Sequence, residues 1–372
     1  STEPPSPPGR RTSSPERKMA NETTVEMQRE MTTVAITGAS SLIGRSLAAL
    51  LIARGDRVVV FQRGEFSTDP GDADLASQVE HHRGDVCDRA ALDATFGGCD
   101  VAVHLAAKVG VVGDRDEYVA INVDGTRNVL AAARRNGLRG VVHVSSPSVA
   151  HDGQPIVGGD ADPPVEDHGA AGYPETKALA ERDALAAADD TCAVVAIRPH
   201  LVWGPGDTQL VGRIVERAEA GRLALVGGGH ALVDTTYIDN AATALAAAVD
   251  AVGPGEACAG KAYVVSNGEP RPIRELVEAF CRAADVPFEP RNVPLPVALR
   301  IGSVIDRVWP RLDRSDEPPL TRFVAEQLGT AHWFDQRAVR RDLDWQPTVS
   351  IDQGLEALAE WFAAGRTDTP SR

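Results

Sequence analysis

Five short apolar runs recur along the first 200 residues, each followed by a stretch of another character. They are Val34–Ile36, Val58–Phe61, 100–107 (DVAVHLAA), 140–146 (GVVHVSS) and 192–199 (CAVVAIRP). A run that is apolar throughout needs cover on both faces, unlike a strand that alternates with water on one side. Helical patterns fill the gaps: from the loop at 37–44 to about Arg54, from about Glu117 to Asn136, and from Tyr173 to Ala188. Gly55 and Gly137 stand where the first two should end. "VEHHRGDVCD" (79–88) reads as one more short strand and turn. Strand and helix in alternation predict an α/β protein: a doubly wound parallel sheet with helices on both sides.

Hydrophobic residues make up 43% of the 372 residues and aromatics only 5%, so small aliphatics must do the packing. That suits Ala-rich helices lying on a Val-rich sheet. Beyond Pro199 the rhythm breaks into Gly/Pro loops, such as "WGPGD" (203–207) and "VGGGH" (226–230), with short helices near 272–284 and 350–363. The expected organisation is a disordered N-terminal tail at 1–30, a dinucleotide-binding domain at 31–200, and a mainly substrate-binding lobe at 201–372. Residues 233–268 are expected to return to the core.

The net charge of -15 argues against nucleic acid as the main partner. Cys87, Cys99, Cys192, Cys258 and Cys281 form no Cys-x-x-Cys pair. They read as reduced thiols of a cytoplasmic protein with no metal site. No apolar run is long enough to cross a bilayer.

The loop "TGASSLIG" (37–44) joins the first strand to the first helix, where a pyrophosphate would rest on the helix N-terminus. Gly38 allows the turn, and Gly44 allows close packing of helix on strand. Ser41 holds the place of the usual middle glycine; it adds a Cβ, and also a hydroxyl that can donate to phosphate.

"YPETK" (173–177) places Tyr173 and Lys177 four apart, on one helix face. A free tyrosine has a pKa of about 10. A nearby ammonium would lower it, making the two a tuned acid/base pair. "VVHVSSPSVA" (141–150) ends a strand with Ser145, Ser146 and Ser148, any of which could bond a substrate carbonyl.

Taken together, Gly38 to Gly44, Gly84-Asp85-Val86, His104-Leu105-Ala106-Ala107, Asn122-Val123-x-Gly125-Thr126, Ser145-Ser146, Tyr173-x-x-x-Lys177 and Arg198-Pro199 resemble the extended short-chain dehydrogenase/reductase family. The match runs from about Val34 to Trp361 and is similar to its 3β-hydroxysteroid dehydrogenase branch. The stretches 203–213, 233–242, 260–270 and 318–328 resemble bacterial reductases of 2-alkyl-3-oxoalkanoates in long-chain olefin biosynthesis. The resemblance implies that Tyr173 protonates a ketone oxygen, Lys177 lowers its pKa and holds the nicotinamide ribose, and Ser146 bonds the carbonyl. Asn122 would sit near the proton relay or order the central helix, while His104 would pack at a strand end. Cofactor contacts would come from Gly38, Ser40, Ser41, Leu42, Ile43, Gly44, Gln62, Arg63, Asp85, Val86, Ala106, Ala107, Lys108, Tyr173, Lys177, Pro199 and Val202.

The second strand ends in Gln62-Arg63, where NAD enzymes carry an acid for the ribose hydroxyls. A neutral amide does not repel a 2′-phosphate, and an arginine can grip it, with Arg45 as a second positive charge. NADP(H) rather than NAD(H) is therefore expected. The expected activity is reduction of the 3-keto group of a lipid-like, long-chain 2-alkyl-3-oxoalkanoic acid. A sterol-type 3β-hydroxy dehydrogenase, a nucleotide-sugar epimerase or dehydratase, and a dinucleotide-binding sensor are the alternatives. A sensor has no use for the Tyr/Lys/Ser set. Family habit implies a homodimer through the helices around 117–136 and 173–188, and association with other olefin-pathway enzymes.

His151 and His168 lie in a polar segment and are assigned no catalytic role. In 293–312, the residues Val297, Ile301, Val304, Ile305, Val308 and Leu312 share one helical face. That face is expected to pack inward. The alternative is an apolar lid or a surface that touches partners.

Overall fold

In the computed structural model, seven parallel strands form the central sheet: β1 (Thr33–Thr37), β2 (Arg57–Gln62), β3 (Glu80–Arg83), β4 (Val101–His104), β5 (Gly140–Val144), β6 (Ala193–Pro199) and β7 (Ala262–Val265). The structure describes residues 30–67, 72–110, 114–165, 172–309, 318 and 320–365. The expected tail up to residue 29, His168 and Leu312 lie outside them. From Thr32 on, the described residues form one compact unit.

The strand order is β7-β6-β5-β4-β1-β2-β3. The winding direction reverses between β1 and β4, where Thr37 lies beside His104. A doubly wound sheet binds its ligand at the carboxyl ends of the two strands flanking that reversal. Alternate residues of each strand face opposite layers. Val34, Ile36, Val58, Val60, Val101 and Val103 pack with Leu47, Leu51, Leu245 and Val249 on one side. Ala35, Val59, Phe61, Ala102 and Val141 pack with Leu92, Phe96, Val129 and Ala133 on the other. Each fully buried Val or Leu contributes about 1.5–3 kcal/mol, so both faces of the sheet are committed to packing and only its carboxyl edge is left for function.

Four helices matter for the site and its surroundings. They are α1 (Leu42–Ala53), α2 (Gly125–Arg135), α3 (Gly172–Ala186) and α4 (Leu295–Val308). The helix expected over 117–136 is not uniform. A short turn at Arg115–Tyr118 leads into a π-helical segment, Val119–Asp124, before α2 begins. Such wide turns often mark functional positions, and this one carries Asn122. A second sheet joins Ile156–Gly159, His332–Phe334, Leu232–Val233 and Arg271–Pro272. Its His332 Nδ1 lies 2.7 Å from Nε2 of His200, next to the end of β6.

One expectation is reversed. The apolar stripe of α4 does not pack inward: Val297, Ile301, Val304 and Val308 are 43–57% exposed. The buried side of α4 is instead Ala298 and Gly302. The reason is close approach: a Cβ on Gly302 would meet the backbone of Arg322 at 2.5 Å. The small residues let α4 lie directly on the helix Arg322–Gly329, and the large ones are left outside.

Candidate active site

The glycine loop closes over the end of β4. Gly38 has φ +72°, and a Cβ there would lie 2.7 Å from the backbone of Ala106. A Cβ on Gly44 would meet the backbone of Ala39 at 2.6 Å. Ser41 needs no such freedom, since its φ is -65°. Its Oγ accepts from the Gly44 amide at 3.1 Å, making Ser41 the N-cap of α1. The glycine replaced by Ser41 is thus compensated by a cap, and the loop keeps its turn. The first amides of a helix have no intrahelical acceptor and favour an anion.

A cavity of about 410 Å³ opens beside this loop. Gly38, Ser40, Ser41, Gln62, Arg63, Asp85, Val86, Ala106 and Ala107 line it, with Phe61, Gly64, Gly84, Leu105, Val109 and Ile121. Nine expected cofactor residues therefore share one concave surface, and its amide-rich floor suits the phosphates of a dinucleotide. Leu42, Ile43 and Val202 are not on this wall; they pack against the apolar cluster that includes Trp203, Tyr237 and Ile238. Gly44 is buried in the first turn of α1, and Pro199 ends β6.

Gln62 is more engaged than its sequence position implies. Its Oε1 accepts from the Ser40 amide at 2.9 Å, and its Nε2 donates to the Glu65 carbonyl at 2.5 Å. The amide therefore shapes the cavity wall. Arg63 is largely exposed at the rim, 3.9 Å from Asp85 Oδ2. Arg45 is already committed: it donates to the Ser40 carbonyl at 2.6 Å and pairs with Asp72 at 3.2 Å.

Tyr173, Ser146 and Lys177 converge at the ends of β5 and α3. Ser146 caps the turn Pro147–Ala150, and its Oγ lies 2.9 Å from that of Ser148. It also hydrogen-bonds the Tyr173 phenol, which lowers the phenol pKa. Burial outweighs that bond and pushes Tyr173 up to about 12. The expected lowering by Lys177 is not what the structure gives, because the ammonium is directed elsewhere. Lys177 Nζ donates to the Val144 carbonyl at 2.7 Å. Burial brings its pKa down to about 8, while Glu181 acts to raise it.

Asn122 sits at the junction. Its Oδ1 accepts from the Lys108 amide at 2.7 Å, and its Nδ2 donates to the Lys108 carbonyl and to Thr176 Oγ1. Asn122 thus orders the segment after β4 against α3, while Lys108 Nζ pairs with Glu117 at 2.5 Å.

Three features escaped the sequence. Arg198 and Glu181 form a wholly buried, two-pronged ion pair, at 2.9 and 2.5 Å. The Arg-Pro pair was visible, but nothing in the sequence tied it to α3. Leu201 holds φ +42°, a strained conformation for a branched side chain, between Pro199 and Val202. His104, expected to pack, is bonded on both nitrogens, 2.7 Å from Thr37 Oγ1 and 3.0 Å from Thr126 Oγ1. Among the described residues no group of His, Cys, Asp and Glu could hold a metal ion. No described helix is long and apolar enough to cross a membrane.

The chain is similar to known proteins over most of its length. The 3-beta hydroxysteroid dehydrogenase/isomerase family model matches residues 35–297. A 2-alkyl-3-oxoalkanoate reductase of Stenotrophomonas maltophilia is 45% identical over 334 residues, covering 89% of this chain and 99% of that protein. Another, of Shewanella oneidensis, is 36% identical over 332 residues, covering 87% and 84%. Among solved structures, an epimerase of Methanothermobacter thermautotrophicus aligns with a TM-score of 0.71 at 20% identity, covering 90% of this chain and 93% of that one. That last likeness speaks to the fold alone. The chain belongs to the 3-beta hydroxysteroid dehydrogenase/isomerase family, within the extended short-chain dehydrogenases/reductases, and is an NAD(P)-dependent oxidoreductase acting on the CH–OH/C=O pair.

Proposed function

We propose that this enzyme reduces the 3-keto group of a long-chain 2-alkyl-3-oxoalkanoic acid to the 3-hydroxy acid, a step in olefinic hydrocarbon formation, with NADPH as reductant. The observation that carries this reading is the 45% identity to a reductase of that name over nearly its whole length. Bound NADPH would supply the hydride to the carbonyl carbon. The chain's own residues do the rest. Ser146 bonds the ketone oxygen, and Tyr173 gives it a proton as charge develops there. Lys177 holds the nicotinamide ribose beside them. A phenol with its pKa near 12 is fully protonated at neutral pH, so Tyr173 starts each reduction as the acid.

A lipid substrate carries its own test. Each buried methylene contributes about 0.8 kcal/mol, or roughly a fourfold gain. Across a series of 2-alkyl-3-keto acids, kcat/KM with NADPH should climb with alkyl length until the site is full. A flat series, with better turnover of a 3-ketosteroid or a sugar nucleotide, would overturn the assignment.

Cofactor choice is assigned to Gln62 and Arg63. The amide offers no negative charge against a 2′-phosphate, and the rim guanidinium is free enough to meet one. Wild type is expected to prefer NADPH over NADH in kcat/KM, and the pair Gln62→Asp, Arg63→Ala to lose that preference. A wild type that uses the two equally, or prefers NADH, would remove this role from both residues.

A further inference from the structure

A line of hydrogen bonds runs through the protein interior from the glycine loop to α3. Thr37 Oγ1 accepts the Ala106 amide at 3.3 Å and lies 2.7 Å from His104 Nδ1. On the other side of the ring, His104 Nε2 lies 3.0 Å from Thr126 Oγ1. The Thr126 hydroxyl donates to the Asn122 carbonyl at 2.6 Å. Asn122 Nδ2 then donates to Thr176 Oγ1 at 3.0 Å, and Thr176 lies between Tyr173 and Lys177 on α3, its hydroxyl reaching the Tyr173 carbonyl at 3.2 Å.

The proton directions follow from the inventory of donors. Thr126 has one hydroxyl proton, and the Asn122 carbonyl takes it. Thr126 must therefore accept from His104 Nε2–H, so Nδ1 accepts from the Thr37 hydroxyl. The imidazole has to be neutral to do both, and burial pushes its pKa down to about 3. Thr37, His104, Asn122, Thr126 and Thr176 are all at most 2% exposed. No water competes for these bonds, and breaking one strands a buried polar group. The line joins the two halves of the site: its first residue adjoins Gly38 on the cavity wall, and its last is one residue before Lys177.

We propose that this line is a positioning device, with His104 and Thr126 as positioning residues: it ties filling of the glycine-loop cavity to the placement of Tyr173 and Lys177. The proposal rests on the reading that the cavity takes the adenosine phosphate end of the cofactor. It does not depend on which ketone is reduced.

The test uses ligands that fill the cavity but carry no nicotinamide to touch α3. Adenosine 2′,5′-bisphosphate is the first probe, and ADP the second, since ADP lacks the 2′-phosphate. Amide hydrogen exchange is followed at the loop, Gly38–Gly44, and on α3, Thr176–Ala180. In the full-length wild type, saturating probe should slow exchange at both places, on α3 by about fivefold, the size of one modest hydrogen bond. Thr126→Val keeps the volume and removes the hydroxyl. It should keep the slowing at the loop and lose it on α3, and Thr126→Ser should restore it. Should Thr126→Val fail to fold, His104→Gln against His104→Leu makes the same comparison, because the amide can still donate on one side and accept on the other. A wild type whose loop is protected with no change on α3 overturns the proposal, as does a Thr126→Val variant that responds like wild type. An enzyme that reduces no keto acid yet shows the predicted exchange pattern would sink the functional reading and leave the positioning line standing.

Discussion

Tyr173→Phe should lower kcat by about 10²–10⁴-fold while cofactor affinity stays close to wild type. The substitution removes one oxygen and keeps the ring. Ser146 stays in place as the cap of the turn Pro147–Ala150, so its proposed contact with the ketone oxygen survives. The cavity wall is built from the end of β2, the loops after β1, β2, β3 and β4, and Ile121 of the π-helical segment, and none of its lining residues lies on α3. What is lost is the proton for the developing alkoxide. Lys177→Ala should look different, because in the proposed mechanism the ammonium also holds the cofactor ribose: cofactor affinity is expected to fall together with kcat. Fluorescence titration with NADPH and steady-state turnover separate the two patterns. A Tyr173→Phe enzyme that retains near-wild-type kcat would mean that another group delivers the proton.

The largest expected loss of stability comes from Arg198→Met. Glu181 is wholly buried, and the Arg198 guanidinium meets both of its oxygens. Removing the arginine leaves a carboxylate with no water to solvate it, which costs about 3–5 kcal/mol. Arg198 also donates to the Asp162 carbonyl at 2.8 Å, a bond lost in the same step. The double variant Arg198→Met, Glu181→Leu should recover most of the stability, since a well-packed apolar pair can replace a buried ion pair. Denaturant midpoints of wild type, the single variant and the double variant measure this directly. A single variant as stable as wild type would show that the pair contributes packing alone.

The fold was legible because most strands of the central sheet are apolar on both faces, the polar edge strand β3 apart. Runs such as Val58–Phe61 or Ala193–Ile197 fit nothing but a covered sheet, and glycines at 55 and 137 mark helix ends, each with positive φ. The α4 stripe misled for a physical reason. Periodicity reports which residues share a face, while the choice of the packed face was made by Gly302, which only the neighbouring backbone reveals. In the site, Tyr173, Lys177 and Ser146 carry their chemistry in their residue types and spacing. The tuning of Tyr173 does not, since it depends on burial and on where the Lys177 ammonium points. His104, Thr126 and Arg198 act through partners 17–67 positions away in sequence, and such pairings are set by sheet register and by the packing of helices on the sheet rather than by any local pattern.

The central claim is hydride delivery to the third carbon of a 2-alkyl-3-keto acid. NADPH carrying deuterium at the nicotinamide C4, on whichever face the enzyme uses, is incubated with such an acid, and the product is examined by mass spectrometry and NMR. One deuterium at C3 of a 3-hydroxy acid is expected, with one NADPH consumed per product and no product from Tyr173→Phe on the same time scale. Label found elsewhere, or NADPH consumed only with a 3-ketosteroid or a sugar nucleotide, would contradict that claim.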